Sequence, residues 1–217
     1  MDLRLRPGLH FCQSGDLAIF LDVPSDRYFA LTETLSAAFL RLAAGTNTFA
    51  DEPAIDRLLG TVLVRGDGGP LIPAVAPTAP TCSVWDRPAD AAPGKALHAM
   101  AALVRARWTL RRRKLEGSLG QLARRKAGMA PGASDPDAIA AVGAAFRMAA
   151  RYLSANDLCL PHSLAVATEL YRHGLPATFV IGVIARPFQA HCWVQAGDLL
   201  ANDRVDTVRD FTPILVI

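Results

Sequence analysis

Cys159, His191 and Asp203 are the residues whose types and spacing in this chain could carry covalent chemistry. A thiol becomes a working nucleophile when it is a thiolate, when a base holds its proton, and when a third group orients that base. Cys159 opens the run Cys159-Leu160-Pro161-His162-Ser163, just after Asn156 and Asp157, which supply turn or N-cap character. An apolar period continues through Leu164, Ala167, Leu170 and Tyr171 and stops at Gly174, which suits a helix C′ position. Pro161 fits the first turn, where its missing N–H would have no intrahelical partner anyway. The pattern predicts a helix beginning at Cys159, where orphan N–H groups and the helix dipole favour the anion of a thiol.

The base and its orienter require a sheet. Residues 176–184 read as a buried strand, 188–196 as a second, Gly197-Asp198 as a turn and 199–203 as a third strand. His191 and Asp203 lie six residues either side of Gly197. A turn centred there would set them opposite each other on one face, with Cβ atoms roughly 4.5–5.5 Å apart. A carboxylate at that distance holds an imidazole in one tautomer. A two-residue turn would shift the register by one and send the two side chains to opposite faces. Asp206 is the alternative orienter. His162 would point away from Cys159 on a helix, and Cys192 alternates to the face opposite His191 and reads as core. Cys12 and Cys82 have no base nearby in sequence and read as buried or incidental thiols.

The residues Cys159-Leu160, Ser163, Gly174, Ile181-Gly182-Val183, Phe188, Ala190-His191 and Trp193-Val194 resemble the transglutaminase-like cysteine protease domain of lasso-peptide B proteins. The resemblance covers about the last third of the chain. Cys192 stands where a small residue such as Ala is expected, and Gln195 where Glu is common. The resemblance implies a papain/transglutaminase-like fold, a helix carrying Cys packed on an antiparallel sheet carrying His and Asp. It also implies that Cys159, His191 and Asp203 form a triad that removes the leader from a precursor peptide. Backbone N–H groups at the helix start, beginning with that of Cys159, would then hold the oxyanion. The partners implied are the precursor's leader and an ATP-dependent lasso cyclase that takes the freed core amine. Two other classes stay open: transglutaminase or amidase acyl transfer by the same residues, and a non-catalytic leader-binding escort.

Residues 1–72 read as a separate unit. Asp16 to Val23 and Arg27 to Leu31 are β-prone runs joined by Pro24-Ser25-Asp26, a hairpin signal. Thr32 or Thr34 can cap a helix to about Ala44, residues 51–59 suit a second, and Leu63-Val64 begins a further element. The stretch from Ala18 to Leu31 resembles the small winged-helix recognition element of peptide-modification systems, such as the peptide chaperone of pyrroloquinoline-quinone biosynthesis. That resemblance implies a leader peptide added as a strand at an exposed sheet edge, with Tyr28, Phe29, Ala30 and Leu31 as binding residues. A scaffold without binding is the alternative.

The fold class expected is α+β: a winged-helix-like domain at 1–72, a linker at 73–93 rich in Pro, Ala and Thr, and a protease domain at 94–217. The protease domain should open with a helix from Ala96 to Leu115, apolar through Leu97, Met100, Leu103, Val104, Trp108 and Leu115. Its other face carries Arg105, Arg107, Arg111, Arg112, Arg113 and Lys114, which read as a solvated face. No nucleic-acid module accompanies them, so no nucleic-acid partner is expected. Another helix should run from Pro136 to Tyr152, capped by Asp135.

Composition sets outer bounds. The 217 residues carry a net charge of +3, are 51% hydrophobic and 20% charged, and suit a globular protein. The 4 cysteines have no CxxC spacing, which argues for a reducing compartment and against a zinc site. Met1-Asp2-Leu3-Arg4 lacks the apolar core of a signal peptide and no run reaches membrane-spanning length, so a cytoplasmic protein without membrane contact is expected. No phosphate-binding loop or metal spacing is present, and no cofactor is expected.

Overall fold

The computed structural model describes residues 3–87, 92–129, 132–152 and 159–217. The chain divides into two compact units, one of Met1–Val75, Val183–Gln189 and Thr212–Leu215, the other of Ala76–Gly182, Ala190–Phe211 and Val216–Ile217. The architecture is mixed α+β. Among the described residues, no helix is long and apolar enough to cross a membrane.

The first unit has strands β1 (Leu3–Leu5), β2 (Leu9–Ser14), β3 (Leu17–Asp22) and β4 (Arg27–Ala30), helices α1 (Glu33–Ala43) and α2 (Glu52–Leu58), and strand β5 (Leu63–Arg65). β2, β3 and β4 form an antiparallel sheet in that order, and β1 pairs with β5. Strands β1 and β2 are additions to the sequence reading, which began its hairpin at Asp16. Phe11, Phe20 and Phe39 make the core, with edge-on contacts of Phe39 to Phe11 at 4.9 Å and to Phe20 at 5.0 Å. Helix α1 follows Thr32 and ends before Gly45, whose φ of +70° closes the helix in a conformation that glycine adopts without strain. Buried Ser36 ties α1 to the sheet, accepting from the Ala18 N–H at 3.1 Å.

The rest of the chain has strand β6 (Cys82–Ser83) and helices α3 (Pro93–Ala127), α4 (Pro136–Ala150) and α5 (Cys159–Arg172). Strands β7 (Thr178–Ile184), β8 (Gln189–Ala196) and β9 (Leu199–Leu200), the short helix α6 (Val205–Val208) and strand β10 (Thr212–Val216) follow, with most of β10 counted in the first unit. The sheet runs in the order β10-β7-β8-β9-β6, with β6 parallel to β9. The stretch whose composition suits a linker is therefore bonded along part of its length. An open edge at β9 has unpaired backbone groups, and the chain at 81–83 satisfies them: the N–H of Thr81 donates to the Asp198 carbonyl at 2.9 Å.

Helix α3 departs from its expected face. Leu97, Val104 and Trp108 are exposed, while Ala96, Ala99, Ala102 and Leu103 are buried. Alanines permit the close approach of α3 to α4 and α5 and share the inner face with Leu103 and Leu115, which the expected face included. The exposed Trp108 ring is covered by the Arg112 guanidinium at 4.5 Å. Lys114 leaves the helical region (φ 55°, ψ −172°), and α3 bends there. Asp135 caps α4, accepting from the N–H groups of Asp137 at 3.1 Å and Ala138 at 3.0 Å. Gly143 of α4 lies against the backbone of Ala201, where a Cβ would come within 2.5 Å of the carbonyl oxygen. That absence of a side chain lets α4 press directly on the segment leading to Asp203.

Candidate active site

Cys159 is the first residue of α5 and is partly exposed. Asn156 and Asp157, read as turn or cap residues, lie outside the described residues. The Leu160 N–H, an orphan donor in the first helical turn, contributes to lowering the Cys159 thiol. His191 lies on β8, and it and Cys159 stabilise each other's charged forms. His191 Nε2 is 2.5 Å from Asp203 Oδ2. With Nε2 engaged by the carboxylate, Nδ1 is the nitrogen left for the thiol.

The His191–Asp203 pair forms by a route the ladder argument did not contain. Gln195 pairs with Leu200 and Ala196 with Leu199, the register of a two-residue turn at Gly197-Asp198. Continued, that ladder would place Asp203 opposite residue 192, not residue 191. The ladder does not continue: β9 ends at Leu200 and residues 201–203 bend away. The bend frees Asp203 from strand alternation, and two contacts set its backbone. Ser83 Oγ donates to the Asp203 carbonyl at 2.5 Å, and Asp203 Oδ1 accepts from the Arg204 N–H at 2.8 Å. Asp206, the alternative orienter, lies on α6 with an exposed side chain bonded to Arg209 at 3.2 Å.

A buried amide network joins these elements, and the sequence reading missed it. Asn202 Oδ1 accepts from the Val194 N–H at 2.8 Å, and its Nδ2 donates to Ser163 Oγ at 2.9 Å. Ser163 Oγ in turn donates to the Cys192 carbonyl at 2.8 Å. The sequence signal was an Asn beside the Asp just past a strand end, but alternation alone assigns it no partner. His162 is half-buried, its Nδ1 3.3 Å from Asn202 Nδ2, and desolvation of its ring lowers its pKa. Cys192 is buried, as its place on the opposite face implies, and Cys159 together with burial holds its thiol well above the usual range. Burial pushes the Cys12 thiol up to about 12.

These contacts separate the charges of the site. Cys192 lowers the Cys159 thiol to about 4 against the opposing effect of burial, helped by His191 and the Leu160 N–H. Burial disfavours the imidazolium of His191, but Asp203 and Cys159 outweigh it and raise the ring to about 9. A depressed thiol keeps its negative charge down to the lower value, and a raised histidine keeps its positive charge up to the higher one. The thiolate–imidazolium pair therefore occupies the interval between them, with both limits belonging to the pair as a unit. Iodoacetamide should alkylate Cys159 rapidly from pH 9 to well below neutrality, with the rate falling off near pH 4. A rate that rises only above pH 8, as for an ordinary thiol, would mean the pair does not form.

In the first unit, β4 is an edge of its sheet. The Leu31 N–H donates to the Ala18 carbonyl at 3.2 Å, so alternation turns the N–H groups of Tyr28 and Ala30 away from β3. Phe29 stacks on core Phe20 at 5.1 Å, and Tyr28 meets Phe188 of the same unit at 5.5 Å. Ala30 is exposed, and Leu31 is partly buried against the core.

Comparison with known families gives a match of residues 100–216 to the transglutaminase-like superfamily. Comparisons with curated proteins and with solved structures gave no match. The matched residues include α5, β7, β8 and the bend that carries Asp203, and they make up more than half of the chain. On that ground the protein belongs to the transglutaminase-like superfamily, whose members are typically cysteine peptidases and acyltransferases.

Proposed function

We propose that the chain is a cytoplasmic cysteine peptidase that binds the leader of a ribosomally made lasso-peptide precursor and cleaves it at the leader–core junction. The observation that carries this reading is the His191–Asp203 pair at 2.5 Å together with Cys159 at the head of α5, its thiol lowered and the His191 ring raised. With the proton already on His191, the sulfur attacks the scissile carbonyl without a prior proton transfer. The N–H of Cys159 at the head of α5 stabilises the oxyanion of the tetrahedral intermediate. As the C–N bond breaks, His191 gives its proton to the leaving amine, which departs as the N-terminus of the core. His191 then takes a proton from water, whose oxygen attacks the thioester and releases the leader as a carboxylic acid. Cys159, His191 and Asp203 are in this reading nucleophile, acid–base and orienter.

Leader recognition falls to the edge of β4, through main-chain hydrogen bonds, with Tyr28, Phe29, Ala30 and Leu31 setting the register. The freed core amine passes to an ATP-dependent cyclase for macrolactam closure. The reading is tested by incubating the chain with a precursor peptide encoded beside its gene and weighing the products. Two fragments whose masses sum to that of the precursor plus one water are expected; a cross-linked or amine-substituted product would assign acyl transfer instead. An intact precursor that binds without reacting would assign an escort. For the edge, Ala30→Pro removes an N–H directed away from β3 and should weaken leader binding about tenfold by calorimetry, with the fold retained. Unchanged affinity would remove β4 from the binding surface.

A further inference from the structure

The side of α5 turned away from Cys159 borders a cleft that the reaction described above does not use. Helical spacing sorts the side chains of α5 into two sets. Cys159, Ser163 and Leu170 share one face, and Leu164, Thr168 and Arg172 lie on the reverse. That reverse face and helix α3 enclose a cavity of about 470 Å³. The volume suits a single small molecule, whose sites run from roughly 300 to 1,000 Å³. We propose that this cleft is a second binding site, apart from the peptide-cleaving one, and that it takes a small polyanion whose charge lies on phosphate or carboxylate groups.

The cleft exists because α3 is not straight. Lys114 takes a left-handed φ of 55°, which a residue with a side chain holds only where its surroundings impose it. The buried Ser118 hydroxyl donates to the Lys114 carbonyl at 2.7 Å and braces the bend from the arm that follows it. Arg105 and Thr109 line the cleft from the arm before the bend, and Gln121 and Arg125 from the arm after it. On a straight helix the rise of 1.5 Å per residue would set Arg105 and Arg125 about 30 Å apart. The bend puts both on one cavity.

The charge around the cleft is unbalanced in one direction. Glu169 is buried in its wall, bonding to Arg172 at 2.8 Å and meeting His98 of α3 at 3.2 Å. It ties α5 to α3 and offsets the charge of Arg172. Arg105 and Arg125 are exposed, and among the described residues neither has a carboxylate partner. One carboxylate thus faces three guanidinium groups, and an anion would complete the set. Guanidinium forks match phosphate and carboxylate oxygens two at a time. Thr109, Gln121 and Thr168 add neutral donors for the remaining oxygens. Among the described residues no aromatic side chain lines the cleft, so it lacks the stacking platform of a single-stranded nucleic-acid groove.

The test is titration calorimetry and thermal unfolding of the full chain with sodium pyrophosphate, with sodium citrate, and with sodium chloride at matched ionic strength. Either polyanion should bind at a single site and raise the unfolding temperature, and chloride should do neither. A preference for pyrophosphate assigns a phosphate-bearing ligand, and a preference for citrate a carboxylate-bearing one. Arg105→Gln and Arg125→Gln should each weaken binding about tenfold. Arg111→Gln, an exposed residue of α3 outside the cleft, should leave the affinity within about twofold, as should Cys159→Ala on the other face of α5. The proposal is overturned if neither polyanion binds with a dissociation constant below about 1 mM. It is overturned too if Arg111→Gln costs as much as Arg125→Gln, the mark of diffuse attraction to a basic helix. Binding of poly-glutamate in place of both small anions would also overturn it, by assigning the cleft to an acidic polypeptide. None of these readouts involves peptide cleavage, so this reading and the peptidase reading fail separately.

Discussion

Replacing Cys159 by alanine is expected to lower leader removal by on the order of 10⁴-fold or more while leaving leader affinity within about twofold of its original value. The size of the first effect follows from covalent catalysis. Without the sulfur there is no thioester, and His191 and Asp203 are left orienting nothing. The constancy of the second follows from the assignment of binding to β4, in the other unit. Product mass and titration calorimetry read the two quantities separately. Appreciable cleavage by the alanine variant would mean that another residue attacks the peptide, and a loss of affinity would place part of the leader at the site of cleavage.

Asp203→Asn carries the second-largest expected effect, a fall in turnover of roughly 10²–10⁴-fold with the fold kept. The amide can present its NH₂ to Nε2 and so favour the wrong tautomer of His191. Loss of the carboxylate also withdraws the main support of the imidazolium, whose ring burial already disfavours. With a weaker imidazolium the thiolate is less favoured, so the midpoint for alkylation of Cys159 should move up together with the loss of turnover. Asp206→Asn should alter neither quantity, since that carboxylate is exposed and bonded to Arg209. Steady-state kinetics beside the alkylation profile decide the matter. An intact Asp203→Asn enzyme with a disabled Asp206→Asn one would transfer the orienting role to α6.

The sequence was most readable where chemistry and period coincide. The helix opening at Cys159 and the strands either side of Gly197 follow from local pattern, because caps, glycine and β-branched runs act over a few residues. The approach of Asp203 to His191 was expected for a reason the register contradicts. A turn of two residues does shift the ladder, and only the bend after Leu200 restores the contact. Strand alternation cannot see past the last residue of a strand. Helix α3 defeated the pattern differently: tight packing against two helices selected its alanines over Leu97, Val104 and Trp108. Cys192 is buried as alternation implied, though alternation says nothing of what covers that face. Ser83, Ser163 and Asn202 were illegible for a related reason, as the contacts of Ser83 with Asp203 and of Ser163 with Cys192 and Asn202 span 29 to 120 positions.

Ser83 has a practical consequence for dissecting the molecule. The boundary that composition suggests, near residue 94, would retain Cys159, His191 and Asp203 and discard the serine whose hydroxyl grips the Asp203 carbonyl. It would also discard the Thr78 carbonyl, which accepts from Gln195 Nε2 at 2.7 Å, and strip β9 of its neighbour. A polypeptide trimmed at that point holds the reacting side chains without the brace that aligns them. The second unit therefore begins before Thr78, and what reads as a tether between two modules supplies a strand of its sheet.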